Sequence, residues 1–188
     1  MKLSFSTRGW ADHSWDELVS TALEMDFSGI EIHNPIINAV FTGKGGPLER
    51  YNTQATARAL RDKGLCIPAL DSSVDISAGK EQVQAAKDLI DLAAAAGVER
   101  VVVVAQNDDE DAIHAALAEL VPYAEASDVV LLIESSGIFS STTRMAGIMD
   151  RYASDYLGTL WDVHNVYRTG GETPAQTVKN LGAYIKHV

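Results

Sequence analysis

The sequence has 188 residues, a formal net charge of −11 at pH 7 and 46% hydrophobic residues, which is ordinary for a globular protein. A sequence pI near 4.7 argues against binding of nucleic acid or anionic lipid through bulk positive charge. The single cysteine, Cys66, excludes an internal disulfide framework and a cysteine-based zinc site. With no apolar run of about 18 residues and no signal peptide before Arg8, we expect a cytoplasmic protein with one domain, residues 1–188.

Short β-rich segments alternate with helical segments along the whole chain. The predicted strands are 2–6, 29–33, 66–70, 100–105, 129–134, 158–162 and 184–188. The fourth and fifth strands are apolar almost throughout, which is typical of a parallel sheet covered by helices on its faces. The pattern is a strand followed by a helix six times, and then a seventh strand.

The helices between these strands have recognisable starts and ends. Ser14 and Glu17 form a predicted capping box, and Thr173 followed by Pro174 predicts another helix start. Apolar residues at steps of three and four predict helices over 80–97 and 109–126, the second kinked or shortened by Pro122. Weaker patterns predict helices over 52–63 and 143–152, and the Gly- and Pro-rich segment 34–51 is expected to be a loop over a site.

Polar residues follow every predicted strand except the last. In parallel α/β folds the ligand site lies at the carboxyl ends of the strands, so we expect these residues to line one. Ordinary loop polarity and helix capping are the alternatives, evenly weighted for Asp71 and favoured for Gln106 and Asn107. The residues are Ser6, Thr7, Arg8, Glu31, His33, Asp71, Ser72, Gln106, Asn107, Glu134, Ser135, Asp162 and His164.

Glu134 and Asp162 are the strongest candidates in this set. Each ends a buried strand, and two carboxylates on neighbouring strands repel each other unless a cation or a hydrogen-bonding partner joins them. Carboxylate oxygens with a nearby imidazole suit a divalent metal such as Mn, Mg, Co or Zn. Salt bridges or a helix cap remain the structural alternative. His164 and His33 are expected to line the pocket, and Trp10 is either a core residue or a surface that stacks on a sugar.

Residues 161–168 (WDVHNVYR) and 170–174 (GGETP) resemble the xylose isomerase-like TIM-barrel superfamily. This group contains sugar-phosphate isomerases and epimerases as well as endonuclease IV. The segments 3–7, 27–32 and 181–188 are similar to the same family, so the resemblance covers essentially the whole chain. It implies a TIM-type (β/α) barrel that is incomplete, with about six βα units plus a seventh strand, truncated at the C-terminus.

The resemblance also implies a metal held by four ligands. They are a Glu after the fifth strand, an Asp after the sixth, a His after the seventh and a Glu after the eighth. Glu134 and Asp162 match the first two of these. His187 matches the first residue of a His-x-His pattern, so the third ligand would fall just past Val188, and the fourth is absent. A divalent metal is therefore expected to bind weakly or not at all.

The expected function is a metal-dependent sugar or sugar-phosphate isomerase or epimerase that moves a proton next to a carbonyl through an enediolate. Glu134 is the expected catalytic carboxylate, and His164, Arg168, His33 and Trp10 are expected to bind substrate, with Arg suited to phosphate. Four alternatives remain open: a non-catalytic portion of a longer protein, a polyol dehydratase, an endonuclease IV-like enzyme, and a doubly wound sheet as the fold. Five histidines and a charge of −11 weigh against the endonuclease. We expect a homo-oligomer or a C-terminal continuation to cover the open edge, and no nucleic acid or membrane partner.

Overall fold

The structure is a computed structural model that describes residues 2–188. These residues form two compact units. Unit 1 comprises the residues up to Ser72 together with Asp88–Val101, and unit 2 comprises Ser73–Lys87 and Val102–Val188.

Seven strands lie in one sheet in chain order, which is the order of a (β/α) barrel. The fold is therefore an incomplete TIM barrel, as the sequence predicts. The strands are β1 (Ser4–Ser6), β2 (Gly29–His33), β3 (Leu70–Asp75), β4 (Arg100–Val104), β5 (Val130–Glu134), β6 (Leu157–Leu160) and β7 (Ile185–His187).

Helices alternate with these strands, and both predicted capping boxes are present at Ser14 and Thr173. The fifth helix runs through Pro122 over 17 residues, so the expected shortening is wrong. The helices are α1 (Trp15–Glu24), α2 (Ala39–Thr42), α3 (Thr53–Asp62), α4 (Lys80–Ala96), α5 (Glu110–Ala126), α6 (Thr142–Tyr152), α7 (Val163–Arg168) and α8 (Pro174–Leu181). Of these, α2 lies in the segment predicted as a loop, and α7 was not predicted. None of the helices in residues 2–188 is long and apolar enough to cross a bilayer.

The third strand differs from the prediction. Cys66 makes only an isolated bridge with Gly29, and β3 begins at Leu70 instead of ending there. Pro68 lies between them, and proline has no N–H to donate to a strand ladder, so regular pairing starts only after it. Asp71 consequently lies inside a strand and not in a loop.

The core of each unit is built from the faces that the sequence pattern predicts. In unit 1, Leu18 of α1 and Ile30 and Ile32 of β2 are completely buried. In unit 2, the buried β5 side chains Leu131, Leu132 and Ile133 lie on alternating faces of the strand. Burial on both faces accounts for the continuous apolar run, with about 1.5–3 kcal/mol gained for each large side chain. This rigid strand holds Glu134 at its end.

Candidate functional site

Unit 1 carries a polar cluster at the carboxyl ends of β1 and β2, beside Asp71 of β3, which we call the Asp71 cluster (Arg8, His33 and Asp71). The Asp71 Oδ2 atom accepts a hydrogen bond from His33 Nδ1 at 2.6 Å and another from Arg8 Nη2 at 3.2 Å. Asp71 therefore contacts two side chains that donate to the same oxygen. It is not a helix cap, so the capping alternative for this residue is wrong.

Backbone pairing places the members of the Asp71 cluster. His33 of β2 is in register with Asp71 of β3, so both side chains lie on one face of the sheet. The His33 N–H donates to Thr7 Oγ1 at 2.9 Å, and Thr7 begins the short 3-10 turn that presents Arg8. Asn34 follows with a φ of 49°, a left-handed conformation that asparagine tolerates, and its N–H donates to the Asp71 carbonyl.

The Asp71 side chain is buried but not saturated. It is 5% exposed, against 17% for His33 and 53% for Arg8. Its Oδ1 atom is shielded from solvent and has no hydrogen-bond partner among residues 2–188. A buried acceptor without a donor costs about 1–3 kcal/mol, and such groups in native proteins call for an explanation.

Unit 2 carries the second group, which we call the Glu134 pair (Glu134 and Asp162). Glu134 is 5% exposed and is in register with Leu160 of β6. Asp162 lies two residues beyond Leu160, after the end of β6. The two carboxylates therefore follow neighbouring strands, and that they line one site stays a prediction.

Asp162 has a defined structural role. It is the N-cap of α7, and its two oxygens accept from the Asn165 N–H at 2.8 Å and from Asn165 Nδ2 at 2.7 Å. The Asp162 N–H donates to Ser135 Oγ at 2.8 Å, which ties the ends of β5 and β6 together. The helix-cap alternative is thus realised for Asp162, whose two oxygens are both hydrogen-bonded.

His164 and Arg168 lie on α7 and are exposed. They are four residues apart, so they share one side of the helix. Glu172, which sequence reasoning missed, accepts hydrogen bonds from the Thr142 N–H at 2.9 Å and from the Thr142 hydroxyl. It therefore caps α6 from a distance, and no local sequence signal could have revealed this.

The remaining predicted residues have structural surroundings. Trp10 packs on Phe5 with ring centroids 5.4 Å apart and on His13 at 4.9 Å. Gln106 and Asn107 both donate to the Asp75 carboxylate, which supports their expected structural role. Asp75 was missed, although a local turn with Ser77 is a recognisable signal for it.

The described residues do not by themselves fit a metal ion. Across residues 2–188, no three His, Cys, Asp or Glu side chains are grouped so that they could hold one. Of the four ligands that the resemblance implies, the chain supplies the Glu134 pair, and the Asp162 oxygens already accept from Asn165.

Two pKa shifts concern residues outside the Asp71 cluster and the Glu134 pair. The Arg144 guanidinium hydrogen-bonds Asp108 and lowers the pKa of that carboxyl. Burial raises the pKa of the Tyr152 hydroxyl, which donates to the His114 carbonyl at 2.8 Å. These contacts join α5 and its preceding loop to α6 and stabilise the scaffold of unit 2.

Comparison with known proteins agrees with this geometry. Residues 19–188 match the profile of the xylose isomerase-like TIM barrel family. The chain is similar to the probable 3-DHS dehydratase AsbF of Bacillus anthracis, with 18% identity, a TM-score of 0.81 and coverage of 100% of this chain and 72% of that one. It is also similar to the IOLI protein with a zinc atom (16%, TM-score 0.77, 98% and 70%) and to an L-ribulose 3-epimerase (16%, 0.75, 98% and 68%). No curated protein sequence matches the chain.

Proposed function

Because the chain belongs to the xylose isomerase-like TIM-barrel family, we propose that it is a sugar or sugar-phosphate isomerase or epimerase. The proposed reaction moves a proton on the carbon next to a carbonyl group through an enediolate. The proposed partner is a small polyhydroxylated molecule.

The observation that carries the proposal is the position of Glu134. Glu134 is 5% exposed at the end of a strand whose preceding side chains are fully buried, and this strand pairs with β6, which Asp162 follows in the chain. Burying a carboxylate is costly, and a site that accepts this cost is a candidate for proton transfer. Glu134 is thus the residue to which we assign the acid and base role.

In the proposed step the Glu134 carboxylate takes the proton from the carbon beside the carbonyl. The electron pair of the broken C–H bond forms the enediolate double bond, and the carbonyl oxygen receives the negative charge. Proton delivery to the opposite face of the same carbon, from a second acid such as water, gives an epimer. Return of the proton from Glu134 to the former carbonyl carbon gives an isomer when the hydroxyl proton on the neighbouring oxygen moves to the charged oxygen, so that the neighbouring oxygen becomes the new carbonyl. General acid–base catalysis of this kind contributes typically about 10²–10⁴-fold in rate.

The proposed substrate-binding residues of unit 2 are His164 and Arg168. Unit 1 is considered by itself, and His33 and Trp10 are its proposed binding residues for a polyhydroxylated molecule. The exposed guanidinium of Arg168 suits a phosphate or a hydroxyl group, because it offers several fixed donors. The aromatic face of Trp10 suits the C–H face of a sugar ring. A divalent metal is proposed only for a polypeptide in which further ligands join the Glu134 pair.

A dehydratase is the second candidate function. The similarity to the probable dehydratase AsbF, at a TM-score of 0.81, favours including it. Removal of the same proton by Glu134 followed by loss of a hydroxide from the next carbon would eliminate water. The two functions share the first step and differ in the product.

The test is proton exchange in deuterated water. A panel of ketoses and ketose phosphates is incubated with the protein, with and without Mn²⁺ or Zn²⁺, and deuterium at the carbon beside the carbonyl is measured by NMR. We expect exchange that falls about 10²–10⁴-fold in Glu134→Gln and is unchanged in Glu125→Gln, an exposed glutamate of α5.

Several outcomes would overturn or redirect the assignment. Full exchange in Glu134→Gln would overturn the role of that residue, and the absence of exchange with every substrate would favour a non-catalytic protein. Loss of water from the substrate would favour the dehydratase. Salt-sensitive binding to DNA would favour the endonuclease IV-like alternative.

A further inference from the structure

The hydrogen bonds around His33 determine which of its two ring nitrogens carries the proton. Nδ1 lies 2.6 Å from the Asp71 carboxylate oxygen, and a carboxylate only accepts, so Nδ1 is the donor. Nε2 lies 3.0 Å from the amide nitrogen of Asn34, which only donates. Both neighbours therefore favour the neutral ring with Nδ1 protonated and an unshared electron pair on Nε2.

Other contacts hold the Asp71 side chain and the His33 ring in place. Arg8 donates to the same oxygen that accepts from His33, at 3.2 Å, and the side chain is 5% exposed. The His33 ring is anchored from its backbone side as well, since its N–H donates to Thr7 Oγ1. The ring orientation is thus defined at both the backbone and the side chain.

One acceptor atom of the Asp71 cluster receives no hydrogen bond from the described residues. Asp71 Oδ1 is buried with no hydrogen-bond partner among residues 2–188. By contrast, the second oxygen of Asp162 accepts from Asn165. Buried acceptors in native proteins are satisfied by protein groups or ordered water, so the open oxygen marks a place where a donor from solvent or from a ligand binds.

We propose that Asp71 is a positioning residue that holds His33 in the Nδ1–H form, so that Nε2 accepts a hydrogen bond from a hydroxyl group of the substrate. The hydroxyl takes the place that the Asn34 amide holds in the free protein. This inference rests on the proposed function for the identity of the ligand, a polyhydroxylated carbonyl compound. The protonation state of the ring does not depend on that function.

The first experiment measures this protonation state in the 188-residue chain. Protein labelled with ¹⁵N-histidine is studied by long-range ¹H–¹⁵N correlation at neutral pH, with His33→Gln used to assign the signals. We expect Nδ1 to be protonated and Nε2 unprotonated. Asp71→Asn keeps an acceptor oxygen and should keep this form, whereas Asp71→Leu removes the acceptor and should shift the ring toward Nε2–H.

The second experiment tests the ligand. D-fructose and D-fructose 6-phosphate are titrated into the protein, each with and without Mn²⁺ or Zn²⁺. We expect the His33 Nε2 resonance to move in the wild type and in Asp71→Asn, but much less in Asp71→Leu. In the same titration, Asp71→Leu should raise the apparent Kd for the sugar about 5- to 50-fold, the size of effect expected for one hydrogen bond in a shielded site. Asp62→Asn, an exposed aspartate at the end of α3, is the control.

Each outcome has a separate meaning. A wild-type His33 protonated on Nε2, or an unchanged ring in a folded Asp71→Leu, would overturn the positioning role and leave the role of Glu134 intact. If His33 is protonated on Nδ1 but no sugar moves its Nε2 resonance, the proposed hydrogen bond from a substrate hydroxyl to Nε2 is overturned. Loss of the proposed function appears instead as full exchange activity in Glu134→Gln, which the ring measurement does not affect. Chemical-shift dispersion in each variant verifies that it folds.

Discussion

Asp71 lies inside β3 and Asp162 lies just beyond β6, and the carboxylates of these two aspartates have different surroundings. Asp162 caps α7 and accepts two hydrogen bonds from one neighbour, Asn165. Asp71 accepts from two side chains of different elements on Oδ2, whereas its Oδ1 has no partner among residues 2–188.

This difference teaches what each carboxylate does for the protein. The Asp162 contacts are local and define the backbone at the end of β6, so its first effect is on structure. The Asp71 contacts define the state of another side chain, so its first effect is on what that side chain presents to a ligand. We test this comparison with substitutions that disturb the backbone near Asp162 and with substitutions of the two carboxylates.

The largest expected change in stability comes from the backbone around α7. A Cβ atom on Gly170 would lie 2.1 Å from the Ser140 carbonyl oxygen, which is too close for any side chain. We expect Gly170→Ala to lower the free energy of unfolding by about 1–3 kcal/mol, measured by urea denaturation, because the backbone must shift to accommodate it.

The matched control for this change is Gly147→Ala in α6. Gly147 is exposed and a Cβ atom there meets nothing within 4 Å, so alanine should raise the free energy of unfolding by about 0.5–1 kcal/mol. Equal effects of the two substitutions would contradict the close packing at Gly170.

A smaller effect distinguishes the two aspartates directly. Asparagine caps helices as well as aspartate does, so Asp162→Asn should change the free energy of unfolding by less than about 0.5 kcal/mol. Asp71→Asn should cost about 1 kcal/mol, because charge-assisted hydrogen bonds are roughly twice as strong as neutral ones. Thermal and urea unfolding of both variants measure this difference, and the reverse order would overturn the distinction.

A further effect lies outside both groups and provides a baseline for pH dependence. Burial raises the pKa of Tyr152, so the folded protein favours the neutral phenol. This contribution is fully present below the unfolded pKa of about 10 and is lost as the pH rises through the folded value.

Tyr152→Phe should therefore lower the free energy of unfolding by about 0.5–1.5 kcal/mol at neutral pH, through loss of the bond to the His114 carbonyl. The free energy of unfolding of Tyr152→Phe should also fall less steeply at alkaline pH, because the variant has no phenol to ionise at this position. Urea unfolding between pH 7 and about pH 11 measures it, and parallel curves for the two proteins would contradict the assigned cause of the shift.

Local chemistry explains why much of the fold could be predicted. The capping boxes at Ser14 and Thr173 involve residues three apart, so the sequence itself contains both partners. The apolar run before Glu134 predicted a strand buried on both faces, and β5 is one. The predicted bounds of the third strand were wrong because Pro68 has no N–H to donate to a strand ladder.

The site was less accessible to sequence reasoning. Glu134 and Asp162 were singled out because a carboxylate after a buried strand is unusual. Nothing near Asp71 in the sequence indicates that Arg8, 63 residues away, and His33, 38 residues away, donate to it. The contact of Glu172 with Thr142, 30 residues apart, is hidden for the same reason.

The sequence by itself determined the alternation of strands and helices, the acidic character of the chain and the candidate carboxylate Glu134. These properties depend on periodicity, composition and neighbours within a few residues. Only the tertiary structure decided that Asn165 donates to both oxygens of Asp162, that Asp71 Oδ1 has no partner among residues 2–188, and that His33 Nδ1 lies 2.6 Å from Asp71. Hydrogen bonding between distant residues depends on which strands are adjacent and in what register, and that is decided only when the chain packs.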